Sequence, residues 1–171
     1  MKSKLTCIWY FLFLAFIGCA DHAPSETFLI PENYKGAIVV VFENTNKEDD
    51  SKKERIYKIP ESGILYTPHS RTTGILKHKY YYVDSSGNKV KEIKSFDYEE
   101  YHNNISNPDE VYRLDIYDGV TEKNDKSIYN NKMLWILMSF GSSKDNREAL
   151  RREGFAIKDS ISKYYPKKYV R

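Results

Sequence analysis

Gly36-Ala37-Ile38-Val39-Val40-Val41-Phe42 is the stretch on which the fold turns. Six apolar residues follow the glycine without a polar interruption, and the run is rich in β-branched side chains. Such a run reads as a strand buried on both faces. The residues beyond it, 44–55, carry charges of both signs and no aromatics, and read as a solvated loop. Ile56 to Ile59 is then a short strand stopped by Pro60, and Glu61-Ser62-Gly63 turns the chain into Ile64-Leu65-Tyr66. Upstream, Phe28-Leu29-Ile30-Pro31 is a short extended piece, because proline pushes Ile30 toward β geometry.

Further along, Ile75 to Val83 predicts a longer strand with Leu76, His78, Tyr80 and Tyr82 on one face. Asp84-Ser85-Ser86-Gly87-Asn88 supplies a hairpin turn into Lys89 to Ile93. Val111 to Tyr117 alternates, with Tyr112, Leu114 and Ile116 inward and Arg113 and Asp115 outward. Met133 to Phe140 is a second apolar strand. The period then changes. Ser142 or Ser143 is placed to cap a helix running through Arg152, with Gly154 as its stop. Ile157, Ile161, Tyr164 and Tyr165 have the spacing of a second short helix before Pro166. The expectation is a mainly β (α+β) protein, an antiparallel β-sandwich with one or two short C-terminal helices. The fifteen tyrosines suit half-buried pleated surfaces.

The N-terminus has a different logic. Lys2 and Lys4 precede an apolar run from Ile8 to Ile17, and a small-residue site ends it at Gly18-Cys19. The run is about half the length needed to span a bilayer, which is roughly twenty residues. Phe16-Ile17-Gly18-Cys19 has the form of a lipobox, in which the cysteine is acylated (palmitate-type chains) and becomes the first residue. Residues 1–18 therefore read as a lipoprotein signal peptide, 19–27 as a tether carrying lipidated Cys19, and 28–171 as one β-rich domain. Cys7 leaves with the signal, so Cys19 would be the lone cysteine of the mature chain, with no intramolecular disulfide. Loss of the signal removes two of the lysines behind the formal charge of +3 and leaves a nearly neutral protein. No basic face argues for nucleic acid.

Phe28-Leu29-Ile30-Pro31-Glu32-Asn33-Tyr34-Lys35-Gly36, running into Ala37 to Phe42, resembles the opening of an uncharacterised bacterial family of short lipoproteins or secreted domains. The likeness continues in Tyr57-Lys58-Ile59-Pro60-Glu61-Ser62-Gly63-Ile64-Leu65, then Gly74, then Tyr80-Tyr81-Tyr82-Val83-Asp84 with Gly87. It covers roughly residues 28–93. The family is one of unknown function, so the resemblance implies a β-rich, membrane-tethered domain and supplies no active site or ligand.

Candidate chemistry is sparse. His22, His69, His78 and His102 lack the spacing of metal ligands, so no metal site and no cofactor is expected. Ser139-Phe140-Gly141-Ser142-Ser143 sits between a strand and a helix, but without the glycine spacing of a nucleophile elbow, and capping accounts for the serines. Ser62 reads as a turn residue. Asp115, Asp118, Glu122 and Asp125, like Asp84 with Asn88, read as solvated carboxylates rather than a calcium loop, with Lys123 and Lys126 interrupting the first group. Lys163, Lys167, Lys168 and Arg171, interleaved with Tyr164, Tyr165 and Tyr169, read as a solvated helix end, with contact to anionic lipid or glycan as the alternative. No catalytic residue is assigned. The reading is a non-enzymatic binding or structural module of the bacterial cell envelope. Its expected partners are a membrane, through the lipid, and an envelope protein, peptide or glycan met through loops or exposed tyrosines. An envelope hydrolase or its accessory subunit, and an inhibitor or immunity protein against a secreted enzyme, are the competing expectations.

Overall fold

The computed structural model describes residues 25–43, 54–72, 77–96, 110–122, 132–142 and 144–165. Its strands are β1 (Glu26–Pro31), β2 (Gly36–Phe42), β3 (Arg55–Lys58), β4 (Ile64–Thr67), β5 (His78–Val83), β6 (Lys89–Glu92), β7 (Tyr112–Glu122) and β8 (Lys132–Gly141), followed by the helix α1 (Arg147–Tyr164). One sheet has the order β3-β1-β5-β6 and the other β4-β2-β8-β7.

The decisive stretch behaves as its composition dictates: every residue of β2 is buried. Ile38, Val40 and Phe42 point at the first sheet, packing with Phe28, Ile30, Tyr57, Tyr80 and Tyr82. Val39 and Val41 point the other way and form a second cluster with Met133, Trp135 and Leu137, covered by Phe155, Ile157 and Ile161 of the helix. Each such side chain removed from water contributes about 1.5–3 kcal/mol before chain entropy is subtracted. The molecule is thus layered as sheet, sheet, helix. In the first sheet the central strand β1 is buried on both faces, while the edge strand β3 alternates buried Arg55 and Tyr57 with exposed Ile56 and Lys58.

The sandwich with a C-terminal helix matches expectation, but its sheets are mixed rather than antiparallel. β1 pairs parallel with β3 and with β5, and β2 pairs parallel with β4. The reason lies in the connections. The chain changes sheet between β1, β2, β3, β4 and β5, so each strand returns to its sheet running the same way. A strand of the opposite sheet serves as the crossover that parallel pairing requires. Only where consecutive strands stay in one sheet, at β5–β6 and β7–β8, do hairpins give antiparallel neighbours, and β2–β8 closes antiparallel as well.

Other expectations shift for local reasons. Glu26 and Thr27, read as the end of the tether, belong to β1 and are buried. Among the described residues a single continuous helix spans both of the expected helical stretches. Its N-cap is Asn146, whose side chain accepts from Ala149 N, while Ser142 donates through both N and Oγ to the Asp145 carboxylate; Ser143 lies outside the described residues. Gly154 is buried mid-helix instead of ending it, because a Cβ there would lie 2.9 Å from both Leu137 methyls. Its absence of a side chain lets α1 lie close on β8. A bulge between Arg113 and Asp115 interrupts β7, and Asp115, expected at the surface, is covered by the helix N-terminus.

The resembling stretches meet at one point. Tyr34 Oη donates to Ala37 O at 2.6 Å, Tyr82 Oη donates to Tyr34 O at 2.8 Å, and Gly63 O accepts from Val39 N. Gly63 lies beneath the Tyr34 hydroxyl with φ +70, and a Cβ on it would sit 2.6 Å from Ala37 O. Replacing Gly63 by alanine should therefore cost about 2–4 kcal/mol through strain and displacement of Tyr34. Gly87→Ala, where φ is +82 but nothing lies within 4 Å, should cost only about 1 kcal/mol. Thermal unfolding followed by circular dichroism compares the two, and equal losses would show that Tyr34 is not seated as described.

Candidate functional site

Two features invite a functional reading: a buried polar cluster at the start of β1 and an open cleft beyond its end. Glu26, Arg55 and His78 share one row across the first sheet. They have the same parity as Phe28, Tyr57 and Tyr80, so their side chains enter the sandwich. Glu26 is 1% exposed. Its Oε1 accepts from Thr72 Oγ1 at 2.9 Å and Tyr57 Oη at 3.2 Å, with Arg55 Nη1 at 3.9 Å, and His78 Nε2 lies 3.1 Å from Oε2. Arg55 in turn donates to Thr72 Oγ1 and to the carbonyl of Ser70, fastening the segment after β4 over the end of the core. Burial pushes the Glu26 carboxyl up, but the hydrogen bond and charge of His78 and the Thr72 and Tyr57 hydroxyls outweigh it and leave the group below its ordinary value. Burial and the Glu26 charge push the Tyr57 phenol up, so it remains a donor.

An acid beside an imidazole is a general acid–base pair in form. Here the carboxylate is withdrawn from solvent, with Oε1 hydrogen-bonded to two hydroxyls and Oε2 set against the His78 imidazole. The cluster's chemistry is that of a buried ion network joining three strands to a loop, and its removal in part is costly.

The cleft has about 320 Å³ and lies where β1 turns into β2. Glu32, Asn33 and Lys35 of the turn form one rim, Val90 and Lys91 of β6 the other, with Tyr82, Glu110 and Val111 between. Asn33 holds a left-handed backbone at φ 64, a conformation its short polar side chain tolerates. Lys91 Nζ lies 3.0 Å from Glu110 Oε1, and Tyr112 Oη donates to Glu110 Oε2 at 3.0 Å. The Lys91 hydrogen bond is the main reason that the Glu110 carboxyl titrates below its ordinary range. Burial pushes Tyr82 up to about 12, so its hydroxyl stays a donor to Tyr34 O. The surface offers cations, carboxylates, a phenol and apolar patches within one concavity, the mixed chemistry that suits a peptide or a substituted glycan. A shallower cavity of about 290 Å³ beside Asp115, Tyr117, Arg147, Glu148 and Arg151 is already neutralised internally, Arg147 clasping Asp115 and Arg151 pairing with Glu148.

The residues singled out by sequence are dispersed. Cys19, His22, His102, Asp125 and the chain after Tyr165 lie outside the described residues. His78 shares a face with Tyr80 as expected, and the Tyr57 and His69 rings are 6.1 Å apart. Asp84 accepts from the backbone N of Ser86 and Asn88, a turn role. Asp115 sits on β7 as expected, and the strand runs on to include Asp118 and Glu122. Among the described residues no group of three or more His, Cys, Asp or Glu is arranged around a metal position. Sequence reasoning missed Glu26, Arg55, Thr72 and Tyr34. The signal for the first two was parity: opposite charges fall on the core-facing positions of β1 and β3.

A family model described as "Family of unknown function (DUF6843)" matches residues 22–141, and the chain belongs to that family. This agrees with the resemblance read between residues 28 and 93. Over 133 residues the chain is 29% identical to a Bacillus subtilis (strain 168) protein named "Putative sugar lactone lactonase YvrE", a match covering 74% of this chain and 42% of that protein. The chain thus spans under half of that relative's length. It is similar to the crystal structure of a "Putative Lipoprotein" from Bacillus anthracis, with a TM-score of 0.53 and 14% identity, over 85% of this chain and 96% of that one. At that identity the likeness establishes a shared fold.

The Glu26 network makes a directional prediction. A carboxyl whose folded pKa is depressed contributes stability above its unfolded value and loses it as pH falls through the folded one. Stability should therefore decline as pH drops below the ordinary value of 4.5, and Glu26→Gln should flatten that limb in urea titrations across pH. Arg55→Ala, which removes a buried guanidinium bonded to Thr72 Oγ1 and the Ser70 carbonyl and lying 3.9 Å from Glu26, should cost about 3–5 kcal/mol at neutral pH. An unchanged acid limb in Glu26→Gln would remove Glu26 from the account.

Proposed function

We propose that this member of the DUF6843 family is a lipoprotein of the bacterial cell envelope, acylated on Cys19 and serving as a non-enzymatic binding module. Its ligand is an envelope peptide or glycan seated in the cleft between the β1–β2 turn and β6. The observation that carries this reading is that the cleft lies at the end of β1 opposite the one where the chain from Cys19 enters. β1 begins at Glu26, seven positions after Cys19, so an extended tether reaches at most about 25 Å. The cleft lies past the other end of β1, about 20 Å further on for a strand of six residues. An acylated chain would hold the first end of the sandwich near the lipid and turn the cleft toward the envelope space.

Other observations support the anchor. Phe16-Ile17-Gly18-Cys19 follows an apolar run of signal length. No helix among the described residues is long and apolar enough to cross a membrane. The structural relative from Bacillus anthracis carries the name lipoprotein. Two or more acyl chains on one cysteine give effectively permanent attachment, whereas one gives reversible binding.

Cys19→Ala should move the protein from the membrane to the soluble fraction and abolish labelling by a palmitate analogue; a variant that stays membrane-bound with unchanged label refutes the anchor. For the cleft, titration of the ¹⁵N-labelled protein with cell-wall muropeptides and short envelope peptides should shift resonances of Tyr34, Tyr82, Val90, Lys91 and Glu110 together. Lys91→Glu should weaken that binding about ten-fold, the order expected when a charged hydrogen-bond partner is reversed. Ligand-induced shifts confined elsewhere on the domain would place the site outside the cleft.

A further inference from the structure

β1 is the strand nearest the anchor, and it stands inside its sheet rather than at an edge. Its neighbours β3 and β5 both run parallel to it, so the first residues of all three strands lie at the end where the chain from Cys19 enters. The register holds from Glu26 to Leu29 against β3 and from Glu26 to Pro31 against β5. At the entry, Arg55 N donates to Ser25 O at 3.2 Å and Glu26 N to Lys77 O at 3.0 Å. At the exit, Ile59 N donates to Leu29 O at 2.8 Å and Glu32 N to Val83 O at 3.0 Å. β1 is thus bonded to β5 along its full length and to β3 along most of it.

Side chains fasten both ends again. In the first row Glu26 accepts from Tyr57 of β3 and from Thr72. Beyond the last row Tyr82 of β5 donates to the carbonyl of Tyr34, in the turn that follows β1. β5 ends at Val83, and Glu32, Asn33, Lys35 and Tyr82 line the cleft. An anchor on Cys19 and a ligand in the cleft would pull on opposite ends of the β1–β5 pair, along the strand axis.

The direction of a pull decides how such a ladder fails. Force drawing two parallel strands past each other strains every rung together, whereas force parting them at one end breaks the rungs in turn. Each rung is weak by itself, so sharing the strain is what makes forced unfolding slow. We propose that β1 is a tension strap. Pull between the membrane and a ligand held in the cleft passes along it and is resisted in shear by β3 and β5, so the cleft keeps its shape under tension. The inference rests on the anchor and the cleft proposed above and goes beyond them, since binding alone requires no mechanical strength.

Optical tweezers on the mature chain, 19–171, provide the test. Made without its signal, that chain has Cys19 as its one thiol, and a second cysteine takes the other DNA handle. Ser85→Cys, just past β5, applies force in shear, whereas Lys79→Cys, in register with Thr27, parts β1 from β5 at the entry. Both positions are exposed, so neither substitution removes a buried contact. At a common force the chain held at position 85 should unfold at least about thirty-fold more slowly, the order expected when two hydrogen bonds must yield together. A smaller ratio overturns the strap. Tyr82→Phe, which deletes the bond to Tyr34 O, should speed unfolding about five-fold in the shear geometry and leave the parting geometry unchanged. Equal acceleration in both removes Tyr82 from the strap. Intact mass of the native chain reads the anchor separately: an unacylated chain overturns the membrane as the source of the pull, whatever the unfolding rates.

Discussion

Covering β2 on both faces is the constraint from which the rest of the architecture follows. A strand with no polar side chain in six positions cannot leave either face to water, so it requires a sheet on one side and a further layer on the other. The first need places β1, β3 and β5 opposite it, and the second places α1. β8 meets the same demand beside it, sending Ile136, Met138 and Phe140 into the core and Met133, Trp135 and Leu137 toward the helix. Gly154 and the Arg147–Asp115 clasp are what let the helix come close enough to serve.

The first sheet answers to a looser rule at the end where β1, β3 and β5 begin, because that row borders a loop rather than the middle of the core. That freedom explains why a glutamate, an arginine and a histidine can occupy inward positions of three adjacent strands. They sit in the last row, where Thr72 bonds both Glu26 and Arg55 and the Ser70 carbonyl accepts from Arg55. At the other end the chain is held by tyrosine hydroxyls bonded to backbone carbonyls. One end of the sandwich is closed by charge and the other is left concave.

The strands were legible in the sequence where a single periodicity dominated: β2 and β8 as apolar runs, β5–β6 as a hairpin with its Asp84 turn. Parallel pairing was not legible, because alternation specifies which face a residue takes and says nothing of the neighbour's direction. Gly154 misled for a definite reason, since the absence of a side chain serves close packing as well as helix termination. The glutamate at position 26 was hidden by its place beside a polar tether, although its parity with Phe28 and Ile30 marks it as inward. Tyr34 stood in the resembling stretch, but its role needed Gly63 and Tyr82 brought beside it from distant positions.

Because β2 finds its antiparallel partner only in β8, about a hundred residues later, the two cannot zip together until nearly the whole chain is available. A chain emerging N-terminus first carries Ile38-Val39-Val40-Val41-Phe42 with the edge that β8 will occupy unpaired until the last strand arrives. That segment has the composition of an aggregation-prone strand. The topology that makes the finished protein compact thus leaves one edge of its most apolar strand open for most of chain synthesis, which is when such a segment is prone to pair with the wrong partner.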